Sequence, residues 1–230
     1  AGGETVSGTF FVVSVGPGDP SLMTLKAVEV LRAVDVVAYP QTTGGSFAAD
    51  IAAAHIGAAD HVPFTVPMDG RAGAAYDAAA EAIDMHLEAG RSVALLCEGD
   101  AMLYGSAASI TVRLPHRQPT IVPGVTAASA CAAVAGVSLA RGTAPFSIVP
   151  ATAGEATLET ALGQGGGVAV YKVGRHFDTV ADIMTAKGRQ AVLVSKAGLA
   201  DQLIAPVDTV EAGPKPYFST VIVAPSKGEG

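Results

Sequence analysis

Residues 97–106, Cys97-Glu98-Gly99-Asp100-Ala101-Met102-Leu103-Tyr104-Gly105-Ser106, follow directly on the apolar run Val93-Ala94-Leu95-Leu96. A short continuous apolar run of this kind is a strand buried on both faces of a parallel sheet. The polar stretch after it is where the strand opens into a turn. Gly99 and Gly105 let the backbone pass close to a ligand, Asp100 can accept hydrogen bonds from a cationic group, and Gly105-Ser106 can begin the next helix. In an open α/β sheet, ligands sit outside the carboxyl ends of the strands, which is where this stretch would lie. Read alone, it fits equally well a tight strand-to-helix turn with no ligand.

Working outward from it, the chain reads as alternating strands and helices. Towards the N-terminus, Ala74 to Ala89 is an alanine-rich helix with Tyr76, Ile83 and Leu87 inward, stopped by Gly90. His61 to Val66 reads as an edge strand, Phe47 to His55 as a helix, and Val36 to Tyr39 as a strand closed by Pro40. Thr9 to Val15 (TFFVVSV) is a strand that runs through Gly16-Pro17-Gly18-Asp19-Pro20 into a helix over Thr24 to Val34. That loop matches neither phosphate-binding fingerprint, because Pro17 and Pro20 remove two of the amides a phosphate would need, so a nucleotide phosphate is disfavoured. Ala1 to Gly8 is expected to be a loose terminus.

Towards the C-terminus, Ala107 to Leu114 is helical, and the proline-bounded Pro115 to Pro119 reads as an interdomain linker, placing a boundary near residue 118. Thr120 to Thr126 is a short strand into a turn, with Thr126 as a candidate N-cap for the small-residue helix Ala127 to Ala135. Strands are expected at Phe146–Val149, Val168–Val173, Ala191–Ser195 and Tyr217–Val223, with helices at Thr157–Leu162 and Phe177–Lys187. The fold class is therefore α/β.

Of 230 residues, half are hydrophobic, enough for a sizeable core. No apolar segment approaches the ~20 residues of a membrane helix, and no basic region leads into an apolar one near residue 1. A cytoplasmic protein without membrane contact is the expectation. The two cysteines, Cys97 and Cys131, sit in apolar surroundings and are expected in the core rather than in a disulfide or a metal site. A net charge of -7 without a Lys/Arg stripe argues against nucleic acid as a partner. His55, His61, His86 and His116 are scattered, and no metal is expected.

Four separated motifs carry a resemblance: Gly16 to Pro40 (GPGDPSLMTLKAVEVLRAVDVVAYP), Cys97 to Ser106, Val122 to Ala140 (VPGVTAASACAAVAGVSLA), and YKVGRH with SKAGLADQ (Tyr171 to His176, Ser195 to Gln202). In this order and at this spacing the chain resembles the tetrapyrrole methylases over nearly its whole length. Within that family, the AYP, EGD, YGS, VPATA, GRH and PYFS segments look most like the members that methylate C(20), a bridging carbon, in cobalamin biosynthesis. The resemblance implies two α/β domains, residues 1–118 on the tetrapyrrole side and 119–230 on the S-adenosylmethionine (SAM) side of a shared cleft, and a homodimer. Carried over by motif position, Pro17, Glu98, Gly99, Asp100, Leu103, Thr126 and Ala127 would line the SAM site, completed by Tyr171 or Lys172 and by Ala197. Other methylases of the fold, or a non-catalytic nucleotide- or tetrapyrrole-binding protein, would keep the same glycine loops.

The implied substrate bears many carboxylates. Arg71, Arg113, Arg141, Lys172, Arg175, His176 and Lys196 are the basic residues near the motifs that could form an anion-binding rim, with Arg175 and His176 preferred; the plainer reading of each, a solvated charge or structural ion pair, is the commoner outcome for such residues. No catalytic base is singled out. The related uroporphyrinogen methylases carry an Asp where this chain has Pro40, and Ala101 stands where the family commonly has Pro.

Overall fold

The computed structural model describes residues 7–67 and 72–226, so Ala1 to Val6 of the terminal stretch and the rim candidate Arg71 lie outside the described residues. Contacts divide the chain into two compact units, residues 1–126 and 127–230.

The first unit is a five-stranded, wholly parallel sheet: β1 (Phe10–Ser14), β2 (Val36–Gln41), β3 (Asp60–Thr65), β4 (Val93–Cys97) and β5 (Thr120–Val122), in the order β3-β2-β4-β1-β5. Position in the sheet explains composition. β4 lies between β2 and β1, and all five of its residues are buried. Because successive side chains point to opposite faces, Val93, Leu95 and Cys97 enter one core with α3 (Gly73–Glu88) and α4 (Ala107–Thr111), while Ala94 and Leu96 enter the other with α1 (Leu25–Ala33) and α2 (Phe47–Ala52). Hydroxyls set two of the helix starts: Thr24 Oγ1 accepts from the amide of Ala27 at 3.2 Å, and Ser46 Oγ from that of Ala49 at 3.2 Å. β3 is an edge strand with a largely exposed pattern, as its sequence suggests.

The expected linker behaves differently. Arg117 donates to Asp84 of α3 at 2.6 Å and to Ser7 at 2.6 Å, and His116 Nε2 lies 3.1 Å from the same carboxylate. Beyond it, β5 pairs with β1, so the division between units falls after Thr126 rather than near residue 118. Prolines and polar residues suggest a linker; the partner that pins this one lies more than thirty positions away.

The second unit holds a mixed sheet of β6 (Phe146–Pro150), β7 (Gly167–Tyr171), β8 (Ala191–Ser195), β9 (Leu203–Pro206) and β10 (Ser219–Val223), in the order β6-β7-β10-β8-β9. Only β6 and β7 are parallel neighbours. α6 (Glu155–Gly163) and α7 (Phe177–Ala186) cover one face, burying Leu158, Leu162, Phe177, Val180 and Met184. α5 (Ala127–Ala135) packs on β10 and β8. Arg189 fastens three segments at once, donating to the carbonyls of Leu162 at 2.9 Å, Gly166 at 2.7 Å and Ala224 at 2.7 Å. Cys97 and Cys131 are both buried free thiols. Among the described residues no helix is long and apolar enough to cross a membrane.

Candidate functional site

At the carboxyl end of the first sheet, the turns after β1 and β4 lock together. The ladder continues past the last paired residues, Ser14 and Cys97: Val15 donates to Cys97 O at 2.9 Å, Gly99 to Gly16 O at 2.7 Å and Gly16 to Gly99 O at 3.3 Å. Gly16 and Gly99 take φ of 82° and 63°, in the left-handed region that favours glycine. Pro17 is thereby carried beside the Glu98-Gly99-Asp100 turn.

Asp100 joins this platform to the turn after β5. Its Oδ1 accepts from the amide of Met102 at 2.9 Å and its Oδ2 from that of Gly124 at 2.9 Å. Sequence reasoning gave these oxygens to an incoming cation; the structure gives each a backbone donor first, which leaves every oxygen further acceptor capacity. Gly124 approaches so closely that a Cβ there would lie 2.5 Å from Gly99 O and 2.5 Å from Ser14 Cβ. Fully buried Ser14 completes the arrangement, its Oγ accepting from Ala101 N at 2.9 Å. Neither Ser14 nor Gly124 was singled out from sequence. The available signal was Ser14 itself, the lone hydroxyl between valines in FFVVSV. Glu98 is half-buried in the same turn, and desolvation holds its carboxyl above the ordinary range.

In the second unit, β7 and β8 flank β10 and both run antiparallel to it, so Tyr171 and Ser195 end at the same edge of the sheet. The structure brings Tyr171 to the helix that Ala127 begins: the amide of Ala128 donates to the Tyr171 hydroxyl at 2.7 Å. Lys172 and Lys196, the residues directly after β7 and β8, take φ of 56° and 52°. Tyr104, past the end of β4, takes 57°. Non-glycine residues in this region are uncommon and cluster where a site imposes the backbone; all three fall in motifs that carry the family resemblance. Ala197 follows Lys196 and is buried, while Leu103 is half-buried. Under the strand end, the hydroxyls of Ser195 and Ser219 pair at 2.6 Å.

The rim candidates separate. Arg113 is held by Asp77 at 2.5 Å and by Ser109 O at 2.6 Å, and Lys196 is paired with Asp201. Arg175 and Arg141 are exposed, with no carboxylate partner among the described residues. Of the histidines, His61 meets the Tyr39 hydroxyl at 3.0 Å, His86 meets Arg91 at 3.2 Å and His116 meets Asp84. Among the described residues no group of three or more His, Cys, Asp or Glu is placed to hold a metal ion.

Comparison with known proteins gives this geometry a context. The family described as Tetrapyrrole (Corrin/Porphyrin) Methylases matches residues 9–212. A precorrin-2 C(20)-methyltransferase of Sinorhizobium sp. is 36% identical over 94% of this chain and 95% of its own. A cobalt-precorrin-2 C(20)-methyltransferase of Salmonella typhimurium is 31% identical over 95% of this chain and 97% of its own. Among solved structures, a uroporphyrin-III C-methyltransferase from Thermus thermophilus complexed with S-adenosylhomocysteine superposes with a TM-score of 0.69 at 23% identity, covering 94% of this chain and 92% of that one, and shares its fold.

Proposed function

We propose that this chain, which belongs to the tetrapyrrole (corrin/porphyrin) methylases, transfers a methyl group from SAM to C(20) of precorrin-2, giving precorrin-3A. The observation that carries the reading is the 36% identity to a precorrin-2 C(20)-methyltransferase across 94% of this chain and 95% of that protein. In this reading Pro17, Glu98, Gly99, Asp100, Leu103, Thr126, Ala127, Tyr171, Lys172 and Ala197 are the SAM-contacting residues. The residues fit such a ligand. The interlocked turns hold Gly16 and Gly99 at φ of 82° and 63°, where glycine leaves the backbone open to close approach by a ligand. Bound SAM would supply an activated methyl on a cationic sulfur.

The chain's own part is alignment. The Gly16–Gly99 pairing and the Asp100 clamp fix the turn before any ligand arrives, so that little ordering remains to be done on binding. Arg175 and His176, in the turn after Lys172, are the groups assigned to the substrate's carboxylates, with Arg141, also without a carboxylate partner among the described residues, as a further candidate. A homodimer is the assembly the family resemblance implies, and sedimentation tests it; the cytoplasm is the compartment expected from the sequence.

Incubation with labelled SAM and either precorrin-2 or cobalt-precorrin-2, followed by mass analysis, tests the assignment. One added methyl on precorrin-2 is expected, and transfer to neither macrocycle would reject it.

A further inference from the structure

Three carboxylates lie in the turns that leave β1 and β4, and the turn after β5, Pro123 to Thr126, contains none. Asp19 accepts from Ser21 N at 2.8 Å, and Asp100 accepts from Met102 and Gly124. Glu98 is the exception. Its carboxyl is half-buried and has no hydrogen-bond or ion-pair partner among the described residues. The backbone beneath it is held by the Gly16–Gly99 bridge, so the side chain stands on a fixed support. A carboxyl withdrawn from water on a rigid turn costs stability, and no contact among the described residues gives it a structural role.

We infer that Glu98 is the base of the methyl transfer, the group that accepts the proton displaced from the bridging carbon. This rests on the methyl-transfer reading. The electron balance requires such a group. The acceptor carbon's electron pair forms the new carbon–methyl bond, the sulfur–methyl bond breaks and its pair stays on sulfur, and the macrocycle is left cationic with both hydrogen and methyl on one carbon. Loss of that hydrogen as a proton to the Glu98 carboxylate restores the conjugated bridge, and the proton then passes to water. A residue in the SAM-contacting turn is close to the reacting carbon because the methyl has to be.

The charge environment agrees. The elements packed against β4 carry Tyr39 on β2, Asp50 on α2, and Asp77, Glu81, Asp84, His86 and Glu88 on α3, of which Asp77 and Asp84 are held by Arg113, Arg117 and His116, while Cys97, Asp100 and Tyr104 share the turn's own segment. None hydrogen-bonds Glu98, and burial alone moves its carboxyl upward. Cys97 beside it, pushed up to about 12 by burial, stays a thiol. An acceptor poised above the ordinary carboxylate range is better matched to neutral pH.

The test compares wild type, Glu98→Gln and Glu98→Asp, with three readouts: kcat against pH on precorrin-2, calorimetric SAM affinity, and an infrared titration of the Glu98 carboxyl in the ligand-free protein. Wild type should show an acidic limb in kcat that follows the infrared titration. Glu98→Gln should lose that limb and about 100-fold or more in kcat at saturating SAM, a loss that stands apart from whatever its SAM contact contributes to affinity. Glu98→Asp should retain a limb at altered pH and recover part of the rate, which keeps the test valid should the glutamine variant fold poorly. A glutamine variant within threefold of wild-type kcat, an acidic limb that survives it, or a loss confined to SAM affinity overturns the inference. Absence of methylation by wild type overturns the functional reading itself and is seen before any variant is made.

Discussion

Asp100 shows how a single side chain can hold two turns at once. It holds two backbone amides from separate turns, one bond exposed and the other part-buried, and charge-assisted bonds so placed contribute about 1–2 kcal/mol each once solvent screening is allowed for. Asp100→Ala is therefore expected to lower stability by on the order of 2–4 kcal/mol and to weaken SAM binding together with it. Urea denaturation beside calorimetry checks this; weakened binding at unchanged stability would contradict the clamp. Gly124→Ala is expected to be comparably damaging, because the 2.5 Å approach is to a backbone carbonyl and a buried Cβ, neither of which can swing aside. At Arg175, exposed and without a carboxylate partner among the described residues, alanine should leave the melting temperature unchanged and raise KM for the tetrapyrrole while sparing SAM affinity.

At the scale of elements, the second unit depends on Arg189, whose guanidinium joins the end of α6, the loop before β7 and the segment after β10. Arg189→Met is expected to cost on the order of 3 kcal/mol by stranding three carbonyls, measurable as a shifted urea midpoint. Elements of this chain were legible in the sequence where burial dictated composition: β1 and β4 are apolar runs because helices cover both faces of their sheet, and α1 announces itself by Thr24 and a periodic apolar face. β9 was not legible, since Leu203 to Pro206 is a largely exposed edge strand that buries almost nothing. For the same physical reason the site was read only in part. Motifs named Pro17, Glu98 and Asp100, but that Asp100 holds Gly124, that Ser14 holds Ala101, and that Asp84 pins Arg117 are long-range pairings which no local pattern encodes.

For the molecule as a whole, pH acts through carboxyls of opposite sign. At Asp84 burial, which by itself raises the pKa, is outweighed by Arg117 and His116, so the folded value lies below the usual one. Its contribution is present above the unfolded pKa of about 3.9 and is lost as pH falls through the lower folded value. Asp35, hydrogen-bonded by Ser92, acts in the same direction. Glu98 is reversed. Its folded pKa is raised by burial, so the protein is relatively more stable while Glu98 is protonated and loses that increment as pH rises from about 4.3 through the folded value. Melting curves against pH should therefore show Asp84→Asn weaker than wild type at pH 7 with the gap closing in acid, and Glu98→Gln more stable than wild type at pH 7 with that gap also closing in acid.

The motifs assigned to SAM fit methylation at several positions of the macrocycle, so the acceptor carbon is the atom to locate. Turnover of precorrin-2 with carbon-13 methyl SAM, followed by nuclear magnetic resonance of the product, places the new methyl directly. A labelled methyl on C(20), the bridging carbon, is expected, and a labelled methyl on a ring carbon would contradict the proposed function.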